Sequence, residues 1–200
     1  HTWQEGIDEV LNEGSGFTWH WWNHNGNIQA LRDKATFPDT PDGTLKLGPG
    51  GDSHAHTYPN GGPLLHAEIP PNIRDRYAGR MFGYYRADQD GDHTFYISSD
   101  DNGELWFGEE EESATLIASV PGWTGVRNWD RFPEQRSAGQ PLRKGKFYYI
   151  EALFQEGGGG DNLEVGVTYP DGTSSKPSAV CFNGVINWFP EAVGVKYLKW

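Results

Sequence analysis

No apolar pattern in this chain lasts longer than a single strand. The strongest run is Phe147-Tyr148-Tyr149-Ile150-Glu151-Ala152-Leu153-Phe154, and it stops within a few residues at Gly157-Gly158-Gly159-Gly160. Aromatic and β-branched residues suit a pleated, half-buried surface, and clusters of Gly, Asp and Asn end such runs. The same alternation of run and breaker recurs along the chain. Residues 17–22, 80–87, 94–97, 104–107, 114–120 and 163–169 read as strands, and Leu45 and Leu47 suggest a brief one. Residues 6–12 could form a short helix, and residues 28–35 a short helix or an irregular segment. The tail holds short apolar runs at 180–182, 185–189 and 193–198. The pattern predicts an all-β fold, an antiparallel β-sandwich or barrel-like domain with long loops.

Composition agrees with this class. The 27 Gly and 13 Pro supply turns, and 9 Trp, 9 Tyr and 10 Phe supply bulky faces for packing. A chain of 200 residues could form one large β domain or two small ones. No break in composition and no internal repeat divides it, so one domain over 1–200 is expected. Residues 173–200 are then an extension packed on that domain. A long Gly-Pro-His loop is expected over 48–63.

The formal net charge is −12. That argues against nucleic acid, whose phosphates are met by Lys and Arg, and against anionic membrane surfaces. No apolar run approaches the ~18 residues of a membrane span, so no membrane insertion is expected. The one cysteine, Cys181, cannot form an intrachain disulfide. No Asn stands in an N-glycosylation context, and the start at His1 predicts a processed or excised chain.

Two stretches carry candidate chemistry. The first is Asp100-Asp101-Asn102-Gly103, which closes the run Thr94-Phe95-Tyr96-Ile97. Adjacent carboxylates are good ligands for a hard cation, because Ca²⁺ takes oxygen donors. Successive side chains of a strand point to opposite faces, so both can reach one ion only if the backbone departs from that geometry, as a cis peptide would. The alternative is a solvated Asx-type turn. The second stretch is residues 157–162. Consecutive glycines are costly in a plain hairpin and make sense where main-chain carbonyls turn toward a ligand. Gly158 and Gly160 are the candidates for that, with Asp161 and Asn162 adding side-chain oxygens. The alternative is a flexible hairpin tip. Both stretches together offer about four to six of the six to eight oxygens Ca²⁺ prefers, which leaves room for water or for two sugar hydroxyls.

The segments Phe95-Tyr96-Ile97-Ser98-Ser99-Asp100-Asp101-Asn102-Gly103-Glu104-Leu105-Trp106 and Lys146-Phe147-Tyr148-Tyr149-Ile150-Glu151-Ala152-Leu153, followed by Glu156-Gly157-Gly158-Gly159-Gly160-Asp161-Asn162, resemble the protective-antigen domain family, the PA14 module. The resemblance spans roughly residues 16–172. It implies a β-sandwich. In the sugar-binding members of that family a cis-linked Asp pair and a second loop hold Ca²⁺, and the ion meets vicinal hydroxyls of a terminal sugar. Other members are structural or assembly modules. Carried onto this sequence, the resemblance implies a metal site of Asp100, Asp101, Gly158, Gly160, Asp161 and Asn162. The implied sugar-facing set is Asp100, Asp101, Gln155, Gly157, Asp161 and Trp123.

The expectation is therefore a non-catalytic, Ca²⁺-dependent carbohydrate-binding module of lectin or adhesin type, extracellular or at a cell surface, with glycans as partners. The runner-up is a structural module in which calcium only stabilises. Hydrolysis would need two carboxylates about 5–9.5 Å apart across a cleft, and nothing in the sequence pairs Glu104, Glu151 and Glu164. Lesser signals are the acidic turn Asp88-Gln89-Asp90-Gly91-Asp92, read as a turn, and the histidines His1, His54, His56 and His66, whose spacing fits no standard zinc pattern. Glu109 to Glu112 reads as a solvated acidic loop. Trp19, Trp21, Trp22, Trp106, Trp123 and Trp129 could stack on sugar rings, with Trp123 and Trp129 the better candidates.

Overall fold

The computed structural model describes residues 17–47, 67–172, 177–179 and 185–186. The expectations for His1, His54, His56, His66, Cys181, the helix at 6–12 and the loop at 48–63 lie outside those residues, as does most of the tail.

Eleven strands occur among the described residues: β1 (Phe17–Asn23), β2 (Gly43–Leu47), β3 (Tyr77–Arg86), β4 (Gly91–Asp100), β5 (Gly103–Gly108), β6 (Thr115–Val120), β7 (Gln140–Leu142), β8 (Phe147–Glu156), β9 (Asn162–Thr168), β10 (Ser178–Ala179) and β11 (Val185–Ile186). They form two antiparallel sheets. The larger runs β2-β1-β3-β8-β5-β6, with β11 also on β3, and the smaller runs β10-β9-β4-β7. Every pairing is antiparallel, as the alternating runs predict. One short helix, α1 (Ile28–Arg32), is capped by Asn27, whose Oδ1 accepts from the Ala30 N–H at 2.8 Å. Its Leu31 covers Trp22 and Ala78 on the outer face of the larger sheet.

The core lies between the sheets. Strand β8 presents Tyr148, Ile150, Ala152 and Phe154 to it, β4 presents Phe95 and Ile97, and β9 presents Leu163, Val165 and Val167. Trp19 is buried there against Phe154, with ring centroids 5.5 Å apart, and Phe95 meets Phe107 at 4.8 Å. In the tail, β10 pairs with β9 and β11 with β3. No helix among the described residues is long and apolar enough to cross a membrane.

The two loops singled out in the sequence are not hairpin tips. Strand β4 belongs to the smaller sheet and β5 to the larger, so the acidic turn carries the chain from one sheet to the other. The glycine loop, between β8 and β9, makes the return crossing. Register joins them at one end of the sandwich: Asp100 faces Asn162 across β4 and β9, and Gly103 faces Phe154 across β5 and β8.

Candidate metal and ligand site

The two crossings are laced together through the main chain. The Asp101 N–H donates to the Gln155 carbonyl at 3.0 Å, and the Gln155 N–H donates to the Asn102 carbonyl at 3.0 Å. The Gly157 N–H donates to Asp101 Oδ2 at 3.0 Å. The Asp100–Asp101 peptide bond is cis. Carboxylate oxygens of Asp100, Asp101 and Glu156 all lie within 4.8 Å of one another.

Glu156 was not among the residues picked out of the sequence. It continues the inward series Tyr148, Ile150, Ala152, Phe154 by one more step, so β-strand alternation aims its carboxylate inward at the end of the sandwich. It is 0% exposed, and neither carboxylate oxygen has a hydrogen-bond partner among the described residues. A carboxylate on an inward register position, one residue before a glycine loop, is the signal that would have found it. Burial, and then the charges of Asp101, Asp100 and Asp161, push its carboxyl up to about 7, and the nearby Gly158 N–H, short of hydrogen-bond geometry, draws it partly back. Asp100 is pushed up to about 6 by burial, Asp101 and Asp161, and Arg131 offsets part of the rise.

Clustered carboxylates raise one another's pKa because like charges close together resist joint ionisation. A buried carboxylate without a partner is costly unless a cation or a proton meets it. A donor set made wholly of oxygens suits Ca²⁺ or another hard divalent ion. On these observations the residues present fit such an ion.

The glycine loop is held from its other side by the segment that leads into β3. Asp161 is buried, and its carboxylate accepts from the Ile73 N–H at 2.9 Å, the Arg74 N–H at 3.1 Å and the Tyr77 hydroxyl at 2.7 Å. Its carbonyl accepts from the Asn72 N–H at 3.1 Å, and the Gly159 N–H donates to Asp75 Oδ1 at 3.3 Å. Gly159 sits at φ +119°, a conformation side chains resist. A methyl group on Gly157 would lie 3.2 Å from Asp101 Oδ2, so this glycine also allows close approach to the acid.

The expected residues therefore separate by environment. Asp100, Asp101 and Gly157 come together with Glu156, and Gly160 lies beside Asp100 Oδ2. Gln155 borders Gly157, and Gly158 is exposed at the tip. The Asp161 side chain serves as the loop's anchor. Asn162 is buried, and its Nδ2 donates to Glu164 Oε2 at 3.1 Å.

Of the tryptophans, Trp19 and Trp22 are core residues. Trp21 is covered by the Arg74 guanidinium at 3.5 Å and Trp106 by Arg32 at 4.7 Å. Trp129 is half-buried, against Gly166. Trp123 is 51% exposed, with the Arg131 guanidinium 3.7 Å over its ring. Its loop is fixed to the site's strand: the Thr124 N–H donates to the Ser99 carbonyl at 2.7 Å, and Thr124 Oγ1 accepts from the Ser99 N–H at 2.8 Å.

The remaining acids stand apart. Glu104 pairs with Arg32, Glu151 with Arg80, and Glu164 accepts from the Arg127 N–H at 3.2 Å. The segment Glu109 to Glu112 is exposed, as expected, with two of its acids in ion pairs. A 3₁₀ turn (Glu111–Ser113) follows Glu110, Glu111 reaches Arg80 at 2.6 Å, and Glu109 reaches Lys146 at 2.6 Å. In the Asp88–Asp92 stretch, Asp90 Oδ1 accepts from the Lys144 N–H at 2.9 Å.

Comparison with known proteins places this arrangement. The family model described as "PA14 domain" matches residues 66–180. A murine N-acetyl-beta-glucosaminyl-glycoprotein 4-beta-N-acetylgalactosaminyltransferase 1 is 36% identical over 97 residues, which is 45% of this chain and 9% of that protein. Human Fibrocystin-L is 30% identical over 83 residues, 42% of this chain and 2% of that protein. The chain thus matches only a small part of either curated relative. Among solved structures, the fold is similar to a PA14 sugar-binding domain from an RTX adhesin (TM-score 0.59, 10% identity, 87% of this chain and 99% of that one). It is also similar to the epithelial adhesin 6 A domain of Candida glabrata, solved with Galb1-3GlcNAc (TM-score 0.51, 13% identity, 87% of each chain).

Proposed function

Because this chain belongs to the PA14 domain family, we propose that it is a non-catalytic, calcium-dependent carbohydrate-binding module of lectin or adhesin type, working outside the cell or at its surface. One observation carries the reading: the buried Glu156 carboxylate, with no hydrogen-bond partner, faces Asp100 and Asp101 with oxygens within 4.8 Å. Two solved structures of the same fold are a sugar-binding PA14 domain and an adhesin domain in complex with Galb1-3GlcNAc.

Asp100, Asp101 and Glu156 would hold the ion, with carbonyls of the glycine loop completing the donor set. A bound Ca²⁺ supplies open coordination positions that two vicinal hydroxyls of a sugar can take. The protein's own part is orientation. Hydrogen bonds from the Gly157 N–H and through Gln155 fix the Asp101 end of the site, and the Asp161 anchor fixes the loop. Trp123 offers an exposed aromatic ring, in a loop bonded to Ser99, suited to the apolar face of a sugar ring. A shallow site of this kind gives weak single-site affinity, raised by repeated modules or clustered glycans.

A glycan array probed in calcium and in chelator tests the proposal. Binding in calcium and its loss in chelator are expected, along with loss of both calcium and glycan binding in Asp101→Asn. Glycan binding that survives chelation would sink it. Calcium stabilisation with no glycan bound would favour a structural module instead, a role consistent with the small share of the curated relatives that the match spans.

A further inference from the structure

Four cations among the described residues are held by carboxylates. Arg32 pairs with Glu104, Arg80 with Glu151 and Glu111, Arg127 with Glu68, and Lys146 with Glu109. Arg131 is not one of these four. It is exposed, and among the described residues it has neither a carboxylate within 4.0 Å nor a side-chain hydrogen bond. Its position is set by aromatic rings: its guanidinium lies 3.7 Å over Trp123 and 5.4 Å from the Phe132 ring.

Both supports are pinned to β4, through Ser99 and Ile97. Trp123 is held by the neighbouring Thr124, which bonds to Ser99 in both directions. The Phe132 N–H donates to Gln135 Oε1 at 2.8 Å, and the buried Gln135 donates from Nε2 to the Ile97 carbonyl at 2.8 Å. Arg131 thus lies over a ring whose loop is bonded to Ser99, the residue before Asp100. Stacking uses the flat faces of a guanidinium and leaves the N–H donors around its edge free, in a fork that matches a planar oxyanion. The structure therefore holds a fixed, unpaired oxyanion fork at the rim of the site.

We infer that Arg131 makes this site select anionic saccharides, its edge N–H groups receiving the carboxylate or sulfate of a sugar whose ring hydroxyls lie toward Asp100 and Asp101. The inference rests on the calcium–sugar reading above and adds the class of sugar. Trp123 acts as the positioning residue, holding the guanidinium face-on so that its donors point across the site. A carboxylate in place of a primary alcohol changes the ligand at one group only, so the contrast isolates Arg131 from everything that binds the ring.

The test is isothermal titration of the whole chain, in calcium, with matched pairs: methyl glucuronide against methyl glucoside, and methyl galacturonide against methyl galactoside. A sulfated galactose separates sulfate from carboxylate as the source of the oxyanion. At least one anionic member is expected to bind about tenfold more tightly than its neutral twin, the size of one charge-assisted hydrogen bond. The preference should shrink as salt is raised. In Arg131→Gln the ratio within each pair should fall to about one; because it is a ratio within one protein, a general loss of binding does not mimic it. By NMR, the Arg131 Nε–H should shift on adding the anionic sugar and not the neutral one. Equal or weaker binding of every anionic member, or a preference that survives in Arg131→Gln, overturns the inference and leaves the calcium–sugar reading standing. If no sugar of either kind binds in calcium, both fall together.

Discussion

The Tyr77 hydroxyl donates to the Asp161 carboxylate at 2.7 Å, from the first residue of β3 to the last residue of the glycine loop. With the Ile73 and Arg74 N–H groups it makes the Asp161 carboxylate a three-donor anchor of the loop. Tyr77→Phe removes one charge-assisted bond from a buried carboxylate. The expected loss is about 2 kcal/mol of stability, together with weaker calcium binding because the loop is less well held. Thermal denaturation in chelator and calorimetric titration with calcium read the two effects separately.

Glu156→Gln is expected to move two quantities in opposite directions. It removes a buried charge that repels Asp100 and Asp101, so the calcium-free protein should melt at the same temperature or higher. It also removes a candidate ligand, so the rise in melting temperature on adding calcium should shrink. A ligand at ~100 times its dissociation constant stabilises by about 2.7 kcal/mol, which sets the scale of the signal. A merely structural Glu156 would lower stability in both conditions.

The pH dependence has a definite sign. The Glu156 carboxyl is raised from 4.5 to about 7 and that of Asp100 from 3.8 to about 6. Between the unfolded and folded values the native protein binds more protons, so without calcium stability is highest near and below the lower values and falls as pH rises toward 7. Glu164, raised from 4.5 to about 7 by burial, adds the same sign away from the three-acid cluster. Calcium must displace the protons, so its affinity should climb through pH 6 to 7. Melting curves across pH, with and without calcium, check both slopes, and Glu156→Gln should flatten the first. A calcium affinity indifferent to pH would contradict the assignment of Asp100 and Glu156 as ligands.

Strand existence was legible because period-two runs of aromatic and β-branched residues are hard to place elsewhere. The acidic turn and the glycine loop were legible too, since their residue types are poor packing material. Which strands they join was not. A strand, a tight turn and another strand read as a hairpin, whereas β4 and β5 belong to different sheets. That is a matter of long-range pairing, decided by β8 and β9 rather than by the turn. Glu156 escaped notice because strand runs are recognised by their apolar members, and a carboxylate at the end of one looks like its stop. Arg131 escaped because a lone arginine in a loop is distinguished only by the rings it lies over, and that is a property of the folded chain.

Arg80 offers a control away from the site. It is 6% exposed on the outer face of the larger sheet, with Nη2 2.7 Å from Glu151 and 2.6 Å from Glu111. Removing one member of a buried ion pair leaves the other uncompensated, at about 3–5 kcal/mol. Arg80→Ala should therefore unfold at much lower denaturant while the folded fraction keeps its calcium affinity. Urea titration and calorimetry would show it, and loss of calcium affinity at full folding would mean that the outer face and the site are coupled.

Asp100 is the last residue of a strand in one sheet, and Glu156 is the last residue of a strand in the other. A cation gripped by both would rivet the two layers together at one end. Tension applied through a bound glycan would then be shared by β4 and β8, each paired on both sides, rather than by a single loop. The expected mechanical signature is an unfolding force, in single-molecule pulling, that rises when calcium is present and falls back in Glu156→Gln.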